Sequence, residues 1–438
     1  MHRKLTWLWF LLGLGNSLQI VASLSITESI ILVAAPFLFF KDVHYMKRDG
    51  IMPLFNLSAL VILGCIVASI ANKTHSQFVL RGLATCVLVS CVIIFSHWIM
   101  RRDPGGFKWF FVGAAISTVL CTFVFQRSTE LSMYGNTAAE IMSGPLFWTE
   151  RLSAFALLPT KGWYLHVPPI ISAVLPMAIA AFAMAMSTSG RAAALASVGF
   201  AALVFIGGRK RRTMMRISRH FWLIVVCAIV AISVMQAAYR ISASQGLLGE
   251  KAQTKYELQT QGEKGVMRLL FGGRADAFIG LLAARDKPIV GWGPWAQDDG
   301  GRYRKEFLSK YGTLEDYDEF LKFESGGYLQ MRLNLISCHS HITEFWVWYG
   351  IFGLAFILYT AFVLIRFIKD DVYAVPQWFA WLACGTPSML WHICFSPFAH
   401  RVTFPMMVVG CLMARAINKG RFQLPFDMIR EIEEAERK

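Results

Sequence analysis

The sequence predicts an all-α, polytopic membrane protein of about twelve transmembrane helices with one large exported loop. Three observations carry the prediction. The chain of 438 residues is 55% hydrophobic, and its mean hydropathy of +0.48 exceeds what a soluble protein of this length shows. Apolar runs of roughly twenty residues recur along most of the chain, each long enough to cross a hydrocarbon core about 30 Å thick. The positive charge gathers in the short loops between those runs. Backbone in lipid must satisfy its own hydrogen bonds, so runs this long read as helices and not as barrel strands.

In chain order the spans fall near 5–22, 26–41, 53–72, 78–100, 107–126, 167–187, 190–208, 219–240, 342–368, 375–394 and 398–417. The first begins after Arg3 and Lys4 like a signal peptide, but in a chain with so many later spans it reads as a retained helix. Basic residues cluster at Lys41, Lys47 and Arg48, at Arg101, Arg102 and Lys108, and from Arg209 to Arg219. By the positive-inside rule these loops are cytoplasmic. A cytoplasmic start then requires an odd number of crossings between residues 127 and 209. One more span is therefore placed in 137–160, where Glu150 and Arg151 suit a bundle interior or cavity better than lipid. A re-entrant segment is the alternative there. The count becomes twelve, with both ends cytoplasmic.

This division gives nine spans in 1–240, an exported loop domain in 241–341, three spans in 342–418 and a charged cytoplasmic tail in 419–438. The loop carries thirteen Lys/Arg against thirteen Asp/Glu, so the net +15 of the chain does not describe a nucleic-acid-binding face. Within it, "RADAFIGLLAAR" (Arg274 to Arg285) has helical apolar spacing, and "KPIVGWGP" ends that helix with Gly291, Gly293 and Pro294. "GTLEDYDEFLKF" is a second helix, and the acidic pair of "QDDG" reads as a turn. Nine cysteines, most inside apolar runs, give neither a disulfide framework nor a zinc site.

Polar residues after residue 160 collect on the exported side: Arg191, Arg274, His339, His341, His392, His400 and Arg401. That one-sidedness favours chemistry at a membrane surface over conduction, which would place polar groups along a path through both leaflets. Arginine forks onto phosphate oxygens, and at headgroup depth it can hold a lipid phosphate or pyrophosphate. Histidine, whose free imidazole titrates near 6.5, can take a proton from a hydroxyl nucleophile. Together they suit transfer from a lipid pyrophosphate to a hydroxyl, with no compulsory metal. Each residue also has a plainer use: arginines snorkel, loop charges are solvated, His392 and His400 can simply touch headgroups, and Trp346, Trp348 and Tyr349 form an interfacial belt. The conjunction of motifs lifts the chemical reading above these.

Three stretches resemble elements of the O-antigen ligase and polymerase superfamily: "STSGRAAALASVGFAALVF" around Arg191, "GGRADAFIGLLAARDKPIVGWGP" around Arg274, and "HSHITEFWVWYGIFGL", in which His339 stands eleven residues before Gly350 and the Gly353-Leu354 pair. The resemblance covers residues 185–365; the first 160 residues match only in their general plan. Two positions depart from the family pattern. Ser189-Gly190-Arg191 replaces the usual Ser-Arg-Gly order, and Ser340 follows the histidine where Asn is common. The resemblance implies a GT-C-like glycosyltransferase of the bacterial inner membrane, working on its periplasmic side. It implies inverting, metal-independent transfer of O-antigen glycan from undecaprenyl pyrophosphate to a hydroxyl of the lipid A–core oligosaccharide. In that reading His339 is the catalytic base, Arg191 and Arg274 grip the donor, and His341 binds substrate in a lesser role. No cofactor, nucleic acid or protein partner is expected; the partners are the lipid-linked donor, the lipid A–core acceptor and membrane lipids. An O-antigen polymerase, a protein O-oligosaccharyltransferase and a lipid-linked glycan transporter are the alternatives.

Overall fold

Capping and glycine chemistry set the helix ends in the first hundred residues. The computed structural model describes residues 3–16, 18–21, 24–107, most of 109–117, a few positions between 226 and 247, 275–298, 301–311, 335–371 except 337, part of 382–394, and 401–423. Helix α1 (Arg3–Gly15) leads into a short antiparallel pair, β1 (Gln19–Val21) and β2 (Leu24–Ser25). Ser25 then caps α2 (Ile26–Asp49) in a reciprocal box: Glu28 N–H donates to Ser25 Oγ at 3.1 Å, and Ser25 N–H donates to Glu28 Oε2 at 2.8 Å. Gly50, at φ +82°, closes α2 in the left-handed conformation that glycine adopts freely. Helices α3 (Met52–Ala71) and α4 (Ser76–Arg102) follow as an antiparallel pair, joined inside by a 2.9 Å bond from Ser90 Oγ to Ser58 Oγ.

Two predicted boundaries are corrected here. The first span was expected to reach residue 22, yet α1 ends at Gly15, where Asn16 and Leu18 turn back through bonds to Gly13 O and Gly15 O. The second was expected to stop at residue 41, yet α2 runs on to Asp49. Its charged end is accommodated because Asp42 accepts from Arg102 Nη1 at 3.1 Å, while Asp49 meets His97 Nε2 at 3.0 Å and Arg101 Nε at 3.2 Å. A hydropathy window reads those residues as a stop; paired, they extend the helix.

Among the described residues of the loop, α5 (Ala275–Asp286) and α6 (Arg302–Tyr311) are helical, the first as expected. Asp298 accepts from Tyr303 N–H at 3.1 Å and its carbonyl accepts from Gly301 N–H at 2.9 Å, so Asp298 begins a turn that caps α6. Arg285 forks onto Glu306 at 3.0 and 3.2 Å, and Asp286 receives Arg302 and the Tyr303 hydroxyl, clasping the two helices. The helix expected in 312–323 and the charged helix expected in the tail lie outside the described residues.

Helix α7 (His341–Arg366), extended by a π turn at Phe367–Asp371, packs along α3; α8 (Thr403–Asn418) packs on α4 and α7. Among the described residues three helices, α3, α4 and α7 with its π turn, are long and apolar enough to cross a membrane. Of the predicted spans, 137–160, 167–187, 190–208 and 219–240 fall outside the described residues, isolated positions apart. The chain is thus a mostly helical, membrane-associated protein.

The bundle has two unlike ends. At one, the turn near residues 72–75 meets the segment after α5 through Asn72 Nδ2 to Gly291 O (3.0 Å), and Arg401 reaches Glu28 in the first turn of α2 (3.3 Å). At the other, Asp49, His97 and Arg101 meet the end of α8 and the π turn, where Asn418 Nδ2 donates to Asp371 Oδ1 at 3.1 Å. The second end carries Lys47, Arg48, Arg101, Arg102, Arg366, Arg415, Lys419 and Arg421. It is the basic end; the first is the loop end.

Candidate functional site

Helix α7 does not run straight through. Gly350 has φ +62° and ψ −145°, which breaks the helix one third of the way along. Val347 O and Trp348 O lose their partners there and accept instead from Trp292 N–H (2.6 Å) and Gly293 N–H (3.2 Å), while Ile351 N–H donates to Ile289 O at 3.0 Å. The "IVGWG" strap thus completes the broken helix by main-chain bonds, which a buried backbone demands. Only glycine fits the contact: a Cβ at Gly350 would lie 2.0 Å from Ile289 O, and one at Gly291 would lie 2.6 Å from Gly350 N. Next to the strap, Trp295 sits at φ +53°, a strained conformation for a bulky residue, and stacks on Trp348 at 4.7 Å.

The three residues before the break's outer half serve three separate purposes. Ser340 is the N-cap of α7: its Oγ accepts from Thr343 N–H at 3.5 Å and donates to Ile393 O at 3.0 Å, tying the helix start to the segment before Arg401. Serine and asparagine are both strong N-caps, so Ser340 keeps the role an asparagine would have. His339 precedes the helix, with Nδ1 4.0 Å from Asp276 Oδ2 in the first turn of α5 and its side chain 35% exposed. His341, the first helical residue, is wholly buried. Its ring stacks on Phe404 of α8 at 5.2 Å and meets the His392 ring edge-on at 6.3 Å. The ring expected to bind substrate is thus buried between Phe404 and His392.

Acidic groups surround this spot. Burial pushes the Cys338 thiol well up, and the carboxylates of Glu344 and Asp276 add to the shift, which places both beside the histidine's chain neighbour. Glu344 is itself buried, on the first turn of α7. Arg401 reaches Glu28 Oε1, joining the α2 cap to the last hairpin. The arrangement provides a partly exposed imidazole with a carboxylate on a separate helix 4.0 Å away, close enough to favour the charge the ring gains on taking a proton.

Arg191, Arg274 and His400 lie outside the described residues; Arg274 directly precedes Ala275, the first residue of α5. His339 lies beside Asp276 of α5, and His392 lies against His341. Asp276, Glu28 and Glu344 were missed. Asp276 had a usable signal, since it stands two residues after Arg274 in the motif; Glu28 had none, because its partner is hundreds of residues away. Among the described residues no group of three or more His, Cys, Asp or Glu could hold a metal ion.

The fold and this site define a helical membrane-associated protein with a polar, carboxylate-flanked histidine at the loop end of its bundle. No protein-family model matches the chain, and no curated protein matches it at a significant level.

Proposed function

We propose that the protein is an inner-membrane glycosyltransferase that moves a glycan from a polyisoprenyl pyrophosphate to a hydroxyl acceptor on the periplasmic side, as an O-antigen ligase does. One observation carries the reading: the half-exposed His339 imidazole, 4.0 Å from Asp276 Oδ2, at the mouth of a membrane-length helix. His339 takes the proton of the acceptor hydroxyl as its oxygen attacks the anomeric carbon. The bond from that carbon to the pyrophosphate oxygen breaks, and the lipid pyrophosphate leaves with its electron pair. Asp276 steadies the imidazole that becomes imidazolium. Arg191 and Arg274 hold the departing charge by bidentate bonds, which an ammonium cannot form. The acceptor class is the lipid A–core oligosaccharide, and the basic end of the bundle faces the cytoplasm by the positive-inside rule.

The test is transfer by the purified chain supplied with lipid-linked glycan and acceptor. His339→Ala is expected to lose about 10²- to 10⁴-fold in rate, the usual share of a general base. The parent's rate should fall as pH drops through the imidazole's titration, and Asp276→Asn should change that profile while leaving donor KM in place. Full activity in His339→Ala sinks the base assignment. Lipid translocation without covalent product sinks the transferase.

A further inference from the structure

The basic end holds a cleft that the transfer reaction does not use. Its volume is about 230 Å³, and Arg366, Arg415, Lys419 and Arg421 are among its lining residues. Two acids share it. Asp49 already meets Arg48 and Arg101 at 3.2 Å each, and Asp371 is engaged by Asn418 and by Arg415 at 4.0 Å. Among the described lining residues the cations outnumber the acids four to two; Arg366 also pairs with Asp370 at 3.8 Å just outside the cleft, so Lys419 and Arg421 supply its excess positive charge. The rest of the lining is of another kind, and includes the aromatic rings of Tyr359 and Phe362. Phe362 is 53% exposed and belongs to an outward column on α7 with Leu358 at 51% and Ile365 at 41%. In a helix of membrane length such a column faces acyl chains.

A ring of cations at one level, continuous with an exposed apolar column above it, has the shape of one ligand class. We propose that this cleft binds the phosphate headgroup of an anionic membrane lipid from the leaflet at the basic end, with an acyl chain lying along Phe362 and Leu358. Basic pockets between membrane helices on the cytoplasmic side bind such headgroups, and each cation near the headgroup adds to affinity. A free phosphate satisfies the cations alone and gains nothing from the aromatic rings. The lipid bridges α7, its π turn and α8, three pieces of chain otherwise joined at this end by the contacts of Asp371.

The experiment uses the full chain in detergent and in lipid nanodiscs. Native mass spectrometry with phosphatidylglycerol or phosphatidylcholine counts the retained lipid, and thermal unfolding is followed with each. Phosphatidylglycerol is expected to be retained and to raise the apparent Tm; phosphatidylcholine is not. Lys419→Gln with Arg421→Gln, both at exposed positions beyond the end of α8, should weaken phosphatidylglycerol retention about tenfold without disturbing the fold. Arg285→Gln, at the loop end, should leave retention unchanged. Phe362→Ser should weaken lipid retention as well. Three results overturn the proposal: equal retention of both lipids, unchanged retention in the double variant, or a rise in Tm from millimolar inorganic phosphate that matches the lipid's and makes the ligand a soluble anion.

Discussion

His339, Ser340 and His341 show how three adjacent side chains are assigned by what surrounds them. The cap faces the last hairpin, one imidazole faces α5 and the other faces α8, so adjacency in sequence gives no shared environment. Two imidazoles one residue apart are legible as a motif; which one stays accessible is decided by Phe404 and Asp276, distant in sequence, and was reached only through the eleven-residue offset to Gly350. Tyr303 makes the same point and gives a test. Burial and the neighbouring Asp286 carboxylate both push its phenol upward. The protonated hydroxyl donates to Asp286 at 3.0 Å, so its stabilising effect is present below pH ~10, the value for a free tyrosine, and is lost as the pH rises through its own raised titration. Ultraviolet titration of the tyrosines should show a late alkaline component that Tyr303→Phe removes. A titration identical in the two proteins would contradict the clasp.

At the scale of elements, the apolar runs of α3 and α4 were readable almost to the residue, because their charges stop where the helices stop. Those of α1 and α2 were not. Gly13, Gly15 and Asn16 end a helix inside an apolar run, and Asp42 and Asp49 prolong one through a charged stretch by finding cationic partners on α4. The strap was legible as a helix breaker, but its docking into α7 was not, since nothing local in "YGIFG" says which backbone will approach it. Two glycines with similar φ separate these causes. Gly350→Ala must force a Cβ into the Ile289 carbonyl and hold alanine where only glycine is at ease, whereas at Gly420, φ +66°, a Cβ meets nothing within 4 Å. Gly420→Ala is expected to cost about 1 kcal/mol, the left-handed penalty alone. Gly350→Ala is expected to cost more than about 3 kcal/mol, seen as a large fall in apparent Tm or loss of the folded protein. Equal shifts would mean that the strap is not seated as described.

For the molecule as a whole, the proposed orientation rests on counting basic residues in loops, while the bundle's cross-links at Glu28–Arg401 and Asp49–His97 bind segments whose sequence separation hides them. In a Cys394→Ser background, impermeant maleimide applied to intact spheroplasts should label Ser309→Cys and spare Lys419→Cys; the reverse pattern would invert the protein and move the histidine site to the other compartment. The break at Gly350 has a further consequence for how such a chain is built. Val347 and Trp348 carbonyls cannot be left bare in hydrocarbon, where each unmet group costs several kcal/mol. The groups that satisfy them belong to residues 292 and 293, which leave the ribosome some fifty residues earlier than α7. In the proposed topology the strap is already on the far side when its receptor arrives, and biogenesis becomes a capture event: the upper third of the helix is finished by translocated chain and not by the insertion machinery. Delaying export of the strap would then strand a half-built span, which makes secretion and membrane integration two stages of a single folding step.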